Sequence, residues 1–206
     1  MGNILGNRIL GDHRGRPYGA IYNDFVVNKD LLSAIRFIKN NEPIILPTDT
    51  VYGLVSRYDS KKAVEKIYKL KKRDRKKPLI LLGYDWRSLK SFVETCHGMS
   101  LRGFIKQWPG PLTLILPASK NVPRFLNKGY KTIGIRVPKN KFLLNILKKC
   151  PSKVLASTSA NISGKKDVHA ISKKVKLFIK AERKEMSYRP SRIIQIKDWE
   201  IKTLRM

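Results

Sequence analysis

Hydrophobic positions become regular from Asn28 onward, where helical and extended spacings alternate along the chain. A first helix is predicted behind an Asn28 cap, because apolar residues recur every three to four positions at Leu31, Leu32, Ile35 and Ile38. A strand is predicted at 44–46 and a polar turn at 47–53. A second helix is predicted from about Ser60, with one apolar face formed by Ala63, Val64, Ile67 and Tyr68.

The remainder of the chain is a succession of short apolar runs. Further strands are predicted at 79–82, 112–116, 132–137, 154–157, 193–196 and 201–204. Further helices are predicted near 89–93, 101–105, 142–147 and 171–178. This order of elements predicts an α/β sheet with irregular strand order.

Residues 1–25 differ from the rest, since glycine recurs there every four or five positions between Asn, Arg and isolated apolar residues. Arg8, Asp12 and Arg14 exclude a glycine-spaced membrane helix. Gly6 stands where a myristoylation signal needs Ser or Thr. We therefore predict a flexible N-terminal extension at 1–25 and a single domain at 26–206.

Composition places the domain among soluble globular proteins. Hydrophobic residues make up 42% of the 206-residue chain, which is enough for a packed core. Two cysteines do not form a disulfide framework, and no run of 18 apolar residues is present, so we expect a cytoplasmic protein without a membrane span. The net charge of +29 has two interpretations that composition does not separate, namely affinity for RNA and a general excess of lysine.

The common nucleotide signatures are missing from the sequence. It has no Gly-x-x-x-x-Gly-Lys-Ser/Thr motif and no Gly-x-Gly-x-x-Gly motif after a strand. The histidines lack metal-ligand spacing, so no protein metal site is expected. The basic run at 71–77 could bind phosphates, although such a run alone is more often a solvated face.

Five motifs in order carry a family resemblance. They are Pro-Thr-Asp-Thr-Val-Tyr-Gly-Leu at 47–54 with the following Lys-x-Arg and Lys-Pro-Leu, Trp-Pro-Gly-Pro-Leu-Thr at 108–113, Thr-Ile-Gly-Ile-Arg-Val-Pro at 132–138, Ser-Thr-Ser-Ala-Asn-Ile-Ser-Gly at 157–164, and Pro-Ser at 190–191 ahead of Leu-Arg at 204–205. Over about 28–206 the chain resembles the YrdC family of threonylcarbamoyl-AMP synthases, in its compact TsaC form. The resemblance implies a YrdC-like (DHBP synthase-like) α/β fold, a twisted mixed sheet with flanking helices.

The resemblance also implies a reaction. The amine of L-threonine captures bicarbonate or CO2 as a carbamate, and a carbamate oxygen attacks the α-phosphate of ATP, so that threonylcarbamoyl-AMP forms and pyrophosphate leaves. The family passes this intermediate to a tRNA threonylcarbamoyl transferase complex, which completes the t6A modification at position 37 of tRNA. Mg2+ is expected to be carried with ATP.

Site residues follow from the matched positions. The resemblance implies a catalytic set of Lys71, Arg73, Ser159 and Asn161, in which Lys71 and Arg73 meet the phosphates. The implied ATP contacts are Arg73, Lys77, Thr132, Ser159, Asn161 and Arg205. The implied threonine contacts are Thr50, Arg136, Ser157 and Ser191, with Arg136 paired to the carboxylate and the hydroxyls reading the side chain.

Three departures from the family pattern bear on the substrate. Leu82 stands where many relatives carry a histidine near the threonine pocket. Arg192 replaces a small hydroxyl residue after Ser191, in a segment without the usual paired glycines. Asp167 and Val168 replace a Ser-Pro pair, which predicts a different closure of the loop after Asn161.

Three other functions remain as alternatives. A noncatalytic RNA-binding module would account for the charge of +29 but not for Ser159-Ala160-Asn161. The intact Lys71-x-Arg73 and Ser159-x-Asn161 pairs argue against a YciO-like paralogue of uncertain activity. The carbamoyl-transfer domain of hydrogenase maturation proteins ranks last, since it normally comes with acylphosphatase and zinc-finger parts.

Overall fold

The computed structural model describes residues 18–94, 101–161, 168–181, 186–198 and 200–206. Within them eight strands form one mixed sheet in the order β1-β2-β6-β3-β5-β4-β7-β8. Neighbours are antiparallel except for the parallel pairs β3/β5 and β4/β7. The strands are β1 (Ile44–Leu46), β2 (Gly53–Ser56), β3 (Ile80–Gly83), β4 (Leu112–Pro117), β5 (Thr132–Arg136), β6 (Val154–Ser159), β7 (Arg192–Lys197) and β8 (Glu200–Arg205). The predicted α/β mixed sheet is confirmed.

Seven α-helices are present in the same described ranges, and side-chain caps define the start of the clearest ones. Ser60 accepts a hydrogen bond from the amide of Ala63, and Asn140 accepts one from the amide of Leu143. The helices are α1 (Tyr18–Lys39), α2 (Lys61–Lys71), α3 (Trp86–Leu89), α4 (Arg102–Ile105), α5 (Arg124–Asn127), α6 (Lys141–Lys149) and α7 (His169–Ser172), with short 3₁₀ turns at Lys90–Phe92 and Pro151–Lys153.

The two faces of the sheet carry separate cores, because side chains alternate along each strand. Leu54, Leu81 and Ala156 point to the face that packs against α2. Val55, Leu82 and Leu155 point to the opposite face, where α1 and α6 cover them. The helices α1 and α6 cover only part of that face, and two residues further along the same strands Gly53, Ile80 and Ser157 line an open cavity. Partial coverage of one face therefore leaves room for a site.

Most predicted elements are confirmed within one to three residues. The exceptions are the first helix, the helix predicted at 171–178, and two elements that the prediction missed. The first helix begins at Tyr18, ten residues before the predicted Asn28 cap, and so includes part of the predicted extension at 1–25, whose residues 1–17 lie outside the described ones. The prediction also missed β2 and α5.

The predicted helix at 171–178 is wrong. Helix α7 stops at Ser172, a turn follows, and residues 177–179 run beside β1 as extended chain. The Ile45 amide donates to the Leu177 carbonyl, and the Ile179 amide donates to the Ile45 carbonyl. Leu177 and Ile179 enter one core and Phe178 packs against the other, which is the two-residue alternation of a strand.

Candidate active site

The open face of the sheet forms a cavity of about 750 Å³. Residues of the seven strands β2 to β8 contribute to its walls, together with the 48–52 turn and the 186–191 segment. Eight of the eleven residues predicted for the site line this cavity: Thr50, Arg73, Arg136, Ser157, Ser159, Asn161, Ser191 and Arg205. Lys71, Lys77 and Thr132 are not among the lining residues.

Arg136 occupies one end of the cavity as a buried guanidinium held on three sides. Its Nε donates to the Gly110 carbonyl at 3.1 Å, its Nη1 to Thr50 Oγ1 at 2.9 Å, and its Nη2 to Asp49 Oδ1 at 2.6 Å. Burial lowers the pKa of Arg136, and the Asp49 carboxylate acts in the opposite direction. A guanidinium has five N–H groups, so one remains on each Nη to bind a planar anion.

The turn before β2 is shaped by its own hydroxyl groups. Thr48 Oγ1 donates to the Val51 carbonyl at 2.7 Å and accepts from the Thr50 amide at 3.0 Å. Thr48 Oγ1 also lies 3.0 Å from Thr50 Oγ1. This network fixes the buried Thr50 hydroxyl beside Arg136, as expected for a polar turn that follows a short strand.

Ser191 lies on the same side of the cavity in a second hydroxyl cluster. Its Oγ is 2.9 Å from Thr113 Oγ1. Arg205 donates from Nε to the Ser191 carbonyl at 2.8 Å and from Nη2 to Ser191 Oγ at 3.2 Å. Burial lowers the pKa of Arg205, and the positive charge of Arg136 lowers it further. Two guanidinium groups thus face one region, which favours an anionic ligand there.

Arg73 marks another part of the cavity wall, after the end of α2. Its Nε donates to the Lys77 carbonyl at 3.1 Å and its Nη2 to the Pro78 carbonyl at 3.0 Å. These bonds fix the guanidinium plane, and burial lowers its pKa. Lys77 itself is exposed, and its carbonyl also accepts a bond from Tyr68 Oη at 3.0 Å. Lys77 therefore shapes the wall through its backbone.

Ser159 and Asn161 form the polar loop at the end of β6. Ser159 Oγ donates to Asn161 Oδ1 at 2.6 Å, and the Ala160 amide donates to the Tyr52 carbonyl at 2.7 Å. Ser157 is buried two residues earlier on the same face. The motif residues 162–164 and the departure at Asp167 lie outside the described residues, while Val168 lines the cavity.

Lys71 lies beneath this loop rather than in the cavity. Its side chain is 1% exposed, and its Nζ donates to the carbonyls of Ser159 and Asn161 and, at 3.1 Å, to Asn161 Oδ1. Burial lowers the pKa of Lys71 to about 8, with a further contribution from Arg73. The sequence contained a signal for this position, because Lys71 continues the buried stripe of Val64, Ile67 and Tyr68 at helical spacing.

Thr132 is the first residue of β5 and lies opposite Pro117. By strand alternation it is on the same face as Arg136, but it is not one of the residues that line the cavity. Leu82 lines the cavity and pairs with Arg136 across the parallel β3/β5 ladder. The cavity wall is therefore apolar at the position where many relatives carry a histidine. The Arg192 guanidinium donates to Gln107 Oε1 at 2.5 Å, and Arg192 is not among the cavity residues. Ser191 therefore lines the cavity although Arg192, rather than a small hydroxyl residue, follows it.

Sequence reasoning missed several lining residues, of which Thr48 and Thr113 are polar and buried. Both belong to quoted motifs, at 47–54 and 108–113, which was the available signal. Asp49 is the carboxylate partner of Arg136, and its Oδ2 is buried without a hydrogen-bond partner in the described structure.

Metal-ligand clusters and membrane-spanning helices are both absent from the described parts of the chain. No group of three His, Cys, Asp or Glu side chains is placed to hold a metal ion. No helix there has the length and apolar character needed to cross a bilayer.

Known proteins match both the sequence and the fold. The family model Sua5_yciO_yrdC, described as "Telomere recombination", matches residues 36–206. A threonylcarbamoyl-AMP synthase of Pseudoalteromonas translucida is 35% identical over 143 residues, covering 68% of this chain and 76% of that protein. A putative threonylcarbamoyl-AMP synthase of Methanocaldococcus jannaschii is 33% identical over 175 residues, covering 82% and 81%.

Solved structures show the same fold. Pyrococcus abyssi Sua5 complexed with L-threonine superposes with a TM-score of 0.73 at 29% identity, covering 85% of this chain. This chain corresponds to 53% of that protein, about half its length. Escherichia coli YciO superposes with a TM-score of 0.71 at 26% identity, covering 85% of this chain and 87% of that one. Because the family model and these relatives span most of the sequence, the chain belongs to the Sua5/YciO/YrdC family.

Proposed function

We propose that this chain is an L-threonylcarbamoyladenylate synthase, which forms threonylcarbamoyl-AMP and pyrophosphate from L-threonine, bicarbonate or CO2, and ATP. The observation that carries the proposal is one cavity with two different polar ends. The Arg136 guanidinium lies among hydroxyl groups at one end, and Arg73 with the 159–161 loop forms the other. The names of the relatives from Pseudoalteromonas and Methanocaldococcus support the same activity.

The Arg136 end suits an amino acid with a hydroxyl side chain. The two remaining N–H groups of Arg136 would bind the threonine carboxylate, with Asp49 fixing the plane of the guanidinium. Thr50, Ser157 and Ser191 would contact the rest of the amino acid, since each is at least 95% buried and lines the cavity.

The other end suits a triphosphate. Arg73, Ser159 and Asn161 would contact the phosphates there, with Arg205 approaching from β8 and Lys77 and Thr132 lying further out. Transfer at phosphorus needs positioning and compensation of charge rather than a covalent nucleophile, so a guanidinium and neutral donors are sufficient. We propose that Mg2+ arrives with ATP and is held by phosphate oxygens and water, which fits donors that are cationic or neutral around the phosphates.

The reaction then proceeds in two bond-forming steps. The neutral threonine amine attacks CO2 and, after loss of a proton, gives a carbamate anion. A carbamate oxygen attacks the α-phosphorus, the bond to the bridging oxygen breaks, and pyrophosphate leaves. The protein contributes by holding the two anionic substrates in one cavity, where Arg73, Arg136 and Arg205 reduce their mutual repulsion.

We also propose that the product serves a tRNA threonylcarbamoyl transferase complex. RNA binding without catalysis is the second candidate, and the charge of +29 is the observation that favours it. Gel shifts with tRNA that disappear steeply with added salt, in the absence of turnover, would favour that candidate.

The decisive assay measures pyrophosphate release by the purified chain with ATP, Mg2+ and bicarbonate, with and without L-threonine. We expect release that depends on threonine, together with a product whose mass equals that of threonylcarbamoyl-AMP. Folded protein with no threonine-dependent release would refute the proposed function and would leave the RNA-binding or YciO-like alternatives.

A further inference from the structure

The ammonium group of Lys71 has its hydrogen-bonding capacity used inside the protein. An ammonium has three N–H donors and no acceptor. Lys71 Nζ faces three oxygen acceptors, the carbonyls of Ser159 and Asn161 and the amide oxygen Oδ1 of Asn161. With a side chain that is 1% exposed and outside the cavity wall, Lys71 has no N–H left for a phosphate.

The charge of this group is balanced in an unusual way. In the described ranges no carboxylate lies within 4.0 Å of Lys71 Nζ, and Arg73 adds a second positive charge nearby. The two carbonyls and the amide oxygen of one short loop therefore supply the compensating negative potential. A buried cation that depends on three oxygens of one loop holds that loop against the end of α2.

The same contacts set the direction of two hydrogen bonds in the site. Because an ammonium can only donate, the Asn161 side-chain atom that faces Lys71 must be the oxygen, and the amide nitrogen is turned away from Lys71. Since that oxygen accepts, the Ser159 hydroxyl must donate to it. Ser159 Oγ is then left with lone pairs, which accept a hydrogen bond, while the Asn161 nitrogen can only donate.

We propose that Lys71 is a positioning residue that locks the loop of Ser159 and Asn161 to the end of α2 and fixes their hydrogen-bond polarity, rather than a ligand of the triphosphate. This inference rests on the proposed function for the identity of the ligand. Under it, Asn161 donates to phosphate oxygen and Ser159 accepts from a donor on the substrate or from a bound water. Lys71 acts on the reaction through these two side chains.

A double-mutant cycle between Lys71 and Asn161 tests the proposal. We expect Lys71→Met and Asn161→Ala each to lower kcat/KM for ATP about 100-fold, as for a misplaced catalytic group. The double variant should fall no more than about threefold below the slower single variant, since both changes remove the same function. Lys69→Met, an exposed lysine on the same helix, is the matched control and should keep the wild-type rate. Multiplication of the single effects to about 10⁴-fold would show direct, independent contact and overturn the proposal.

Amide hydrogen exchange tests the lock without relying on activity. Loss of charge-assisted bonds to the loop should speed exchange of the Ala160 and Asn161 amides at least about tenfold in Lys71→Met, and not in Lys69→Met. Asn161→Asp keeps the oxygen that faces Lys71 but removes the donor nitrogen, so it should retain slow exchange while losing about 100-fold in kcat/KM. Unchanged exchange in Lys71→Met, or turnover of Asn161→Asp within threefold of wild type, would overturn the proposal.

Two further outcomes have defined meanings. If wild type shows no threonine-dependent pyrophosphate release, the proposed function fails, and the exchange data alone decide whether Lys71 locks the loop. If Lys71→Met does not fold, Lys71→Gln takes its place in both measurements, because its shorter amide retains a donor but not the charge.

Discussion

Stability at alkaline pH offers a direct measurement of how strongly the fold buries the Lys71 charge. The pKa of this lysine falls from an ordinary 10.5 to about 8 in the folded chain, mainly through burial. Between these values the unfolded chain binds the proton and the folded chain has released it. The free energy of unfolding must therefore rise with pH over this interval.

The size of the effect follows from the same two values. A difference between 10.5 and about 8 corresponds to about 3.4 kcal/mol in total. Raising the pH from about 7 to about 9.5 should recover about 2 kcal/mol of this, since titration of the unfolded chain is still incomplete at the upper limit. Solvent screens this charge little, because Lys71 is 1% exposed.

The assay is urea denaturation at both pH values for wild type and Lys71→Met, compared as a difference of differences. This design removes the opposite contribution of Cys150, whose pKa burial raises to about 11, so that its thiol makes the fold less stable as pH rises above 9. Lys69→Met should follow wild type, because that lysine is exposed. If wild type and Lys71→Met changed in parallel within about 0.5 kcal/mol, the Lys71 ammonium would not be buried as described.

Three further predictions concern the cavity walls and the packing of the sheet beside them. Arg136→Lys should raise KM for threonine about 30-fold in initial-rate measurements and change KM for ATP less than about twofold, because a point charge cannot replace a forked donor. Equal increases in the two KM values would contradict the assignment of Arg136 to the threonine carboxylate. Thr113→Val should cost about 1–2 kcal/mol in urea denaturation, since a buried hydroxyl loses its partner, and an unchanged midpoint would show that this bond is not formed. Gly134→Ala should lower the free energy of unfolding by about 1–3 kcal/mol, because its Cβ would lie 2.7 Å from Ile80 Cγ2. In the control variant Gly103→Ala the added Cβ meets nothing within 4 Å, so this variant should not be destabilised. Similar losses of stability in both variants would argue against close packing at Gly134.

The strands and central helices could be predicted because their spacing agrees with their burial. Leu79 to Leu82 and Leu112 to Leu116 are short apolar runs between turn residues, and the structure has strands there. The helix predicted at 171–178 failed because two periods overlap. Ile171 and Val175 fit a helix, but Leu177 and Ile179 also alternate around Phe178, and pairing with β1 selects the extended form there.

Candidate residues of the site could be identified from motifs, but their directions could not. Lys71 is the last residue of α2 and Arg73 follows the left-handed cap residue Lys72, so helical spacing does not relate their directions. Only packing shows that Arg73 reaches the cavity and Lys71 the loop. Thr113 escaped attention because its importance depends on Ser191, which is 78 residues away in sequence. Contacts of this range follow from strand order, which composition and periodicity do not determine.

The strand order has a consequence for how ligand binding and folding are coupled. Because the cavity takes residues from seven of the eight described strands, β2 to β8, opening any one of these seven removes part of the binding surface. Partly folded chains should therefore bind poorly, and a ligand should stabilise the domain as one cooperative unit rather than a single loop. At a free ligand concentration of about 100 times Kd the gain is about 2.7 kcal/mol, so a shift in melting temperature with ATP or threonine would report assembly of the seven strands that line the cavity.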